Sequence, residues 1–580
     1  MIRWRRLRTV LFIVAAGNLA VLLWDLATGG IYFKVFGHVV SSSDTRRPFW
    51  AAAACGAVVL WLRDRGGAIP TWDLIPRCSR WIAAAAAVTC VVVAVQFGAF
   101  VAGGADSYGY VSEADLWATG RLVMPDGLAG LPPWLGRATA PVGYRPALKP
   151  GAIVPIYSPG FPLAMALAQR VAGSWSGYYV VPLLGGLAVW LTYTLAERSF
   201  GAATAVMACV LFAASPLFLF HTLEVMSDVP VTAWWLAAWV FGVQAGRWMA
   251  FAAGLAAAAA ILTRPNIVVL AAVLTLVVAG SRPRVRRVLL FTAPVVAACV
   301  AIALFNRVLY GSPLESGYGP LGYLFQTDRI TRNLQRYFTW LVDLHTPVIL
   351  LALAAPVVHP TRRGAWMLIF SAILLACYLP YFAFDTWPFL RFLLPAIPLL
   401  FILASLVIVR AIEQVPVSLR TVCLIGVCVA GCLWYGFKSE RLGLFAAERA
   451  EDRYQVVGEY LGRALPANAV VITVIQSGSI RWYGNRATLR WDFIPDGRFD
   501  EAIGVLSAQG YEPYLLIEDH EEATFREHFA TSNIFGRIDW PPAIEYQGPP
   551  RVRVYGLADR ARHISGEHIL PRVIPADYSW

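Results

Sequence analysis

The chain has 580 residues, of which 58% are hydrophobic and only 14% charged, with a net charge of +12 and a mean hydropathy of +0.58. An ordinary globular domain carries about 25% charged residues, and here the deficit is filled by long runs of Ala, Val, Leu and Trp, which excludes disordered, collagen-like and coiled-coil chains and indicates a polytopic α-helical membrane protein. The basic excess sits in short clusters between apolar runs, the pattern of membrane topology, so no nucleic acid partner is expected.

Arg3, Arg5, Arg6 and Arg8 precede the first apolar run, 9–25, which has no persuasive small-residue cleavage site and reads as an uncleaved span with a cytoplasmic N-terminus. The second run, 48–62, is followed by Arg63, Arg65, Arg77 and Arg80, which hold that loop inside, while Lys34, Arg46 and Arg47 in the first outer loop run against the rule. The third run, 81–101, therefore emerges outside just before Gly103, and the polar stretch from Ala105 to Ser158 is extracytoplasmic. The next run, 159–172, is short and opens with proline and glycine. If it crossed, Arg282, Arg284, Arg286 and Arg287 would fall outside, so it is expected to lie in the outer interface. Runs at 177–196, 202–220, 229–246, 248–263, 266–280, 288–309, 344–358, 365–384, 392–409 and 420–437 then bring the expectation to about thirteen crossings, with Arg198, Arg247, Arg362, Arg363, Arg410 and Arg420 inside.

From Lys438 onward charges return and apolar runs shorten. Strands are expected at 469–475 and 514–517, with helices at 446–465, 499–509 and 521–528, which together make a small extracytoplasmic α/β domain. It carries no GxGxxG or GxxxxGK[ST] motif, and the chain has no HExxH, EF-hand loop or GxSxG. The nine cysteines lie almost all in apolar runs and form no CxxC pair, so neither a disulfide framework nor a structural zinc is expected.

Ionisable groups at a membrane boundary are costly unless used, and four outer clusters stand out. Asp106 opens a segment directly after the third run; Val111, Ala114, Leu116 and Trp117 suggest an amphipathic interfacial helix with Glu113 on its polar side. A Pro- and Gly-rich loop carries Arg145 and Lys149, suited to a phosphate or to lipid headgroups. The segment from Phe220 to Pro230 holds His221, Glu224 and Asp228, the two carboxylates four apart and on one face if helical, with Asp228 equally suited to a helix start. Arg264 and Arg391 each stand beside proline or aromatic residues at outer run ends, where an arginine wants an anion or a carboxylate. A divalent cation, Mg or Mn, is the one cofactor such carboxylates would suit.

Asp106-x-x-x-Tyr110-x-x-x-Ala114 ending at Gly120-Arg-Leu, then Tyr157-Ser-Pro-Gly-Phe-Pro-Leu, Ser227-Asp-Val-Pro, Leu262-Thr-Arg-Pro and Arg391-Phe-Leu-Leu-Pro-Ala-Ile-Pro, occur in that order. This set resembles the C-class membrane glycosyltransferases, which include protein O-mannosyltransferases and the aminoarabinose transferase of lipid A. The resemblance implies a sugar donor on a polyprenyl phosphate, a lipid, glycan or protein hydroxyl as acceptor, transfer on the outer face, and Asp106 as the base. It also implies a horizontal helix after the first outer loop. Where that family often has an acidic pair, Ser107 follows Asp106 here, which weakens a metal-sharing role. Tyr110, Glu113, Arg145, Lys149, Tyr157, His221, Glu224, Asp228, Arg264 and Arg391 are the expected substrate-binding residues. The corresponding division is two extra transmembrane helices in 1–80, a catalytic membrane module in 81–437 with its outer loop at 103–175, and the α/β domain in 438–580. Two other classes fit many spans with boundary charges: a secondary transporter or lipid flippase, which predicts inverted repeats and broken helices at mid-bilayer, and a non-catalytic assembly protein that displays the C-terminal domain.

Overall fold

The structure, a computed structural model, describes residues 71–575 except 129 and 533, and before them the backbone of two paired strands, β1 (Ile31–Val35) and β2 (His38–Ser42), with a few isolated positions. The spans expected at 9–25 and 48–62, and the arginines flanking them other than Arg77 and Arg80, lie outside the described residues apart from those isolated positions.

The apolar runs from residue 81 onward are mainly helical. Pro76 sits in the first turn of α1 (Ile75–Phe97), where its missing N–H is no loss. Next come α2 (Asp106–Ala118) and α3 (Gly160–Ala172), both within the segment 103–175, and then α4 (Val180–Phe200) and α5 (Ala202–Ala214). Ser215 and Pro216 then break the run, and Ser215 Oγ accepts the Phe218 N–H, so α6 (Pro216–Thr222) turns 59° away. The core continues through α7 (Asp228–Gly242), α8 (Arg247–Thr263), α9 (Leu270–Val278) and α10 (Arg284–Tyr310). The last membrane elements are α11 (Ile330–His345), α12 (Arg362–Tyr378), α13 (Ile397–Ile412) and α14 (Val417–Arg441).

Four of the helical segments among the described residues are long and apolar enough to cross a membrane unbroken: Trp72–Phe97, Ser174–Phe200, Arg284–Tyr310 and Val417–Arg441. Three pairs bent by more than 40° raise the number to seven if each is a single span. Eleven of the thirteen expected crossings fall on described residues; besides these four helices and three bent pairs, α7, α8, α9 and α12, of 15, 17, 9 and 17 residues, are short for a straight crossing of a hydrocarbon core of about 30 Å. Helix α3 has 13 residues, about 20 Å of helix, which is also short of a span; it packs on α2 and α8.

Buried Trp235 and Trp239 make α7 a central helix, packed on α4 and α8, and α8 packs in turn on α10. That last approach depends on Gly254, where a Cβ would come within 2.4 Å of the Phe291 carbonyl oxygen. Arg287 is wholly buried and donates to the carbonyls of Gly242, Gly246 and Val278, which ties the ends of α7, α8 and α9 together.

Between α2 and α3, β3 (Met124–Pro125), β4 (Tyr144–Pro146) and β5 (Ala152–Pro155) form a small sheet in the order β3-β5-β4. The C-terminal region starts with α15 (Ala447–Ala464) and builds a six-stranded mixed sheet from β6 (Ala469–Ile472), β7 (Ala487–Leu489), β8 (Glu512–Glu518), β9 (Ile544–Tyr546), β10 (Val552–Gly556) and β11 (Arg572–Ile574), ordered β11-β9-β10-β8-β6-β7. Strand β6 runs parallel to both neighbours. Helix α16 (Ser477–Gly484) covers one face of the sheet through Ile480, and α17 (Phe499–Ala508) covers the other through Phe499 and Ile503.

Candidate active site

A cavity of about 590 Å³ opens where the N-termini of α2 and α7, the loops after α6 and α8, and the Trp387–Leu393 turn converge. Asp106 is the first residue of α2. Gly103 precedes it because the Tyr454 ring lies where a Cβ would be, 2.2 Å away, and Gly104 takes a positive φ of 56°. The Tyr157 hydroxyl stands 2.8 Å from Asp106 Oδ1 and 2.8 Å from the Ala105 carbonyl. On the other side, Arg391 Nη1 donates to Asp106 Oδ2 at 3.0 Å. Arg391 is itself stacked against the rings of Phe389 and Phe392.

A second ion pair lies deeper. Asp228, the first residue of α7, is 1% exposed and accepts from Arg264 Nη2 at 2.5 Å. Tyr110 donates to Ser227 Oγ at 2.9 Å. Both arginines keep an unsatisfied buried N–H: Arg264 Nη1 and Arg391 Nε have no hydrogen-bond partner among the described residues. Glu224 lies in the loop between α6 and α7 and also faces the cavity. Burial, reinforced by the charge of Glu451, pushes its carboxyl up to about 8.

Asp106, Tyr110, Glu224, Asp228, Arg264 and Arg391 thus line one cavity, and Tyr157 touches it through Asp106. The other residues singled out from sequence lie elsewhere. His221 is buried behind the Trp387–Leu393 turn, its Nε2 3.2 Å from the Pro388 carbonyl. Arg145 pairs with Glu315 at 2.9 Å and stacks on Tyr310, and Lys149 is exposed. Glu113 is not on a wet face of α2 as expected. It is fully buried, accepts from Trp117 Nε1 at 3.2 Å, and its carboxyl is pushed up to about 8 by burial. The amphipathic pattern misled because α3 packs on one side of α2, while Tyr144 bonds to Ser112 and Phe305 stacks on Trp117. Nor do Glu224 and Asp228 share a helix face, since α7 starts only at Asp228; the loop brings both to the cavity all the same.

Sequence reasoning missed the aromatic wall of Tyr318, Tyr378, Tyr381 and Phe392, and it missed Glu451 from α15. The run Trp387-Pro-Phe-Leu-Arg-Phe carried a signal for Phe392 alone of these; Glu451 sits in an ordinary amphipathic helix with no motif around it. For a divalent cation the cavity is a poor fit. Its two aspartates are each neutralised by an arginine, and among the described residues no group of three or more His, Cys, Asp or Glu is arranged to hold a metal ion.

Residues 155–310 match the family model described as dolichyl-phosphate-mannose-protein mannosyltransferase. Among solved structures, ArnT from Cupriavidus metallidurans bound to undecaprenyl phosphate is similar at a TM-score of 0.51 and 14% identity, over 81% of this chain and 96% of that one. The chain has the fold of the C-class membrane glycosyltransferases. Two further similarities are looser: the same ArnT in its apo state, with 13% identity, a TM-score of 0.47 and coverage of 87% and 98%, and the archaeal oligosaccharyltransferase AglB from Archaeoglobus fulgidus, solved with an inhibitory peptide and a dolichol-phosphate, with 11% identity, a TM-score of 0.48 and coverage of 83% and 74%. No curated protein sequence matches significantly. Within this C-class fold, the matched segment 155–310 contains Tyr157, Glu224, Asp228 and Arg264 but neither Asp106 nor Arg391.

Proposed function

We propose that the protein transfers a sugar from a polyprenyl-phosphate donor to a hydroxyl acceptor at the outer face of the membrane. The observation that carries this reading is the pairing of Asp106 with Arg391 in a cavity where two arginines still offer unsatisfied N–H groups. A donor phosphate would draw Arg391 from Asp106, using Arg391 Nε and Arg264 Nη1 as added donors, as suits charge-assisted recognition of phosphate. Asp106, freed on that side and still oriented by the Tyr157 hydroxyl, takes the proton of the acceptor hydroxyl. The acceptor oxygen attacks the anomeric carbon, the bond from that carbon to the phosphate oxygen breaks, and the polyprenyl phosphate leaves with the electron pair against the two arginines. A single displacement inverts the anomeric centre. Glu224 and Asp228 orient hydroxyls of sugar or acceptor.

The same reading places the N-terminus in the cytoplasm, the α/β region outside, and about thirteen crossings in the membrane, the helices shorter than a full span included. The test is transfer of labelled sugar from a panel of polyprenyl-phosphate sugars by the purified protein, beside Asp106→Asn. Transfer by the wild type and its loss in the variant are expected. Full activity in Asp106→Asn would remove the base assignment, and the absence of transfer from every donor would overturn the reading in favour of a transporter.

A further inference from the structure

The α/β region reaches the cavity by two routes. Glu451 of α15 lines it, and so does Ile475, just beyond the carboxyl end of β6. Strand β6 lies between β7 and β8 and is parallel to both, and the helices that follow β6 and β7 cover opposite faces of the sheet. This is a topological switch point, and the crevice outside the carboxyl ends of the strands at such a point is where open α/β sheets bind ligands. Here that crevice faces the cavity.

The junction is held tightly. Tyr454, three residues after Glu451, packs on Gly103, and the Tyr483 hydroxyl accepts the Ala102 N–H at 2.8 Å. Ser477 Oγ accepts the Val142 N–H at 3.0 Å. Helix α15 is therefore fixed against the loop that delivers Asp106, so Glu451 is presented by a supported scaffold.

Charge then divides the cavity. Asp106 and Asp228 are committed to Arg391 and Arg264. Glu224 has no ion pair among the described residues, and the Arg453 beside Glu451, at 3.3 Å, is shared with Glu518 at 3.1 Å. Phosphate belongs at the arginines, while the two glutamates offer it no positive charge and suit the hydroxyls of an uncharged sugar. We infer that Glu451, supplied by the C-terminal region, works with Glu224 as a hydroxyl-binding arm for the donor sugar, so that this region completes the binding site. The inference rests on the glycosyltransferase reading and adds a specificity residue to it.

Binding to the purified full-length protein in nanodiscs tests it, with bare undecaprenyl phosphate and undecaprenyl phosphates bearing single hexoses or pentoses as probes. Glu451→Ala is expected to weaken the sugar-bearing lipid that the wild type binds best by about tenfold or more, the worth of a hydrogen bond to a charged group. It should leave bare undecaprenyl phosphate within about twofold, and Glu451→Gln should recover part of the loss. Arg453 keeps Glu518 in either variant, and an unchanged unfolding midpoint checks that the fold is intact; should the alanine variant not fold, the glutamine variant makes the same comparison. Equal binding by variant and wild type, or equal loss for both lipids, overturns the inference while leaving the glycosyltransferase reading in place. A wild type that binds neither class of lipid overturns both.

Discussion

Asp106 has one oxygen at a tyrosine and the other at an arginine, so its geometry is fixed before any ligand arrives. Asp106→Asn keeps the shape and removes the base, and transfer should fall about a hundredfold or more, measured as single-turnover rate at saturating donor. The deeper pair behaves differently. Asp228→Ala leaves Arg264 without its partner in a nearly closed site and should cost about 3–5 kcal/mol, read as a fall in unfolding free energy in detergent. The double change Asp228→Ala with Arg264→Met should recover much of that loss, because no lone charge is left. Glu113 supplies a pH signature. Its carboxyl, ordinarily at 4.5, is pushed up to about 8 by burial, so the folded protein holds a proton there that the unfolded chain releases. This contribution is fully present below about 4.5 and is lost as pH rises through about 8. The unfolding temperature of Glu113→Gln should therefore fall less than that of the wild type between those limits.

At the level of elements, helical runs were readable because apolar residues persist without strand alternation, and the runs from residue 81 onward fold mainly into helices, some of them broken. The breaks were less readable. Ser215-Pro216 interrupts an apolar run whose composition is otherwise continuous, and whether such a pair bends or stops a helix depends on the neighbours that donate to its freed carbonyls. The fate of α2 was decided in the same way, since an amphipathic pattern says which face is polar but not whether another element covers it. Helix contacts without a hydrophobic driving force rest on small residues, and Gly254 is where that is testable. Gly254→Leu sets a side chain against the Phe291 carbonyl and should destabilise the α8–α10 pair by about 1–3 kcal/mol, measured by denaturant unfolding in micelles.

At the level of the whole molecule, the charge rule orders the loops, and the proposed topology follows from it. Single cysteines placed at Ser281 and Ser507 in a cysteine-free background should divide by side: a membrane-impermeant thiol reagent applied outside intact cells should label the position in the C-terminal region and spare the one in the Arg282 to Arg287 loop. The reverse pattern would invert the topology. The sequence by itself determined that the protein is an α-helical membrane protein, that charge returns after Lys438, and that Asp106, Glu224, Asp228, Arg264 and Arg391 stand at run ends, because hydropathy, periodicity and charge are local properties summed along the chain. Only the tertiary structure decided that these five meet in one cavity, that Glu113, Arg145, Lys149 and His221 do not line it, and that Glu451 does. Such meetings join residues hundreds of positions apart, and what sets them is the packing of helix on helix and of sheet on loop, which no local pattern encodes.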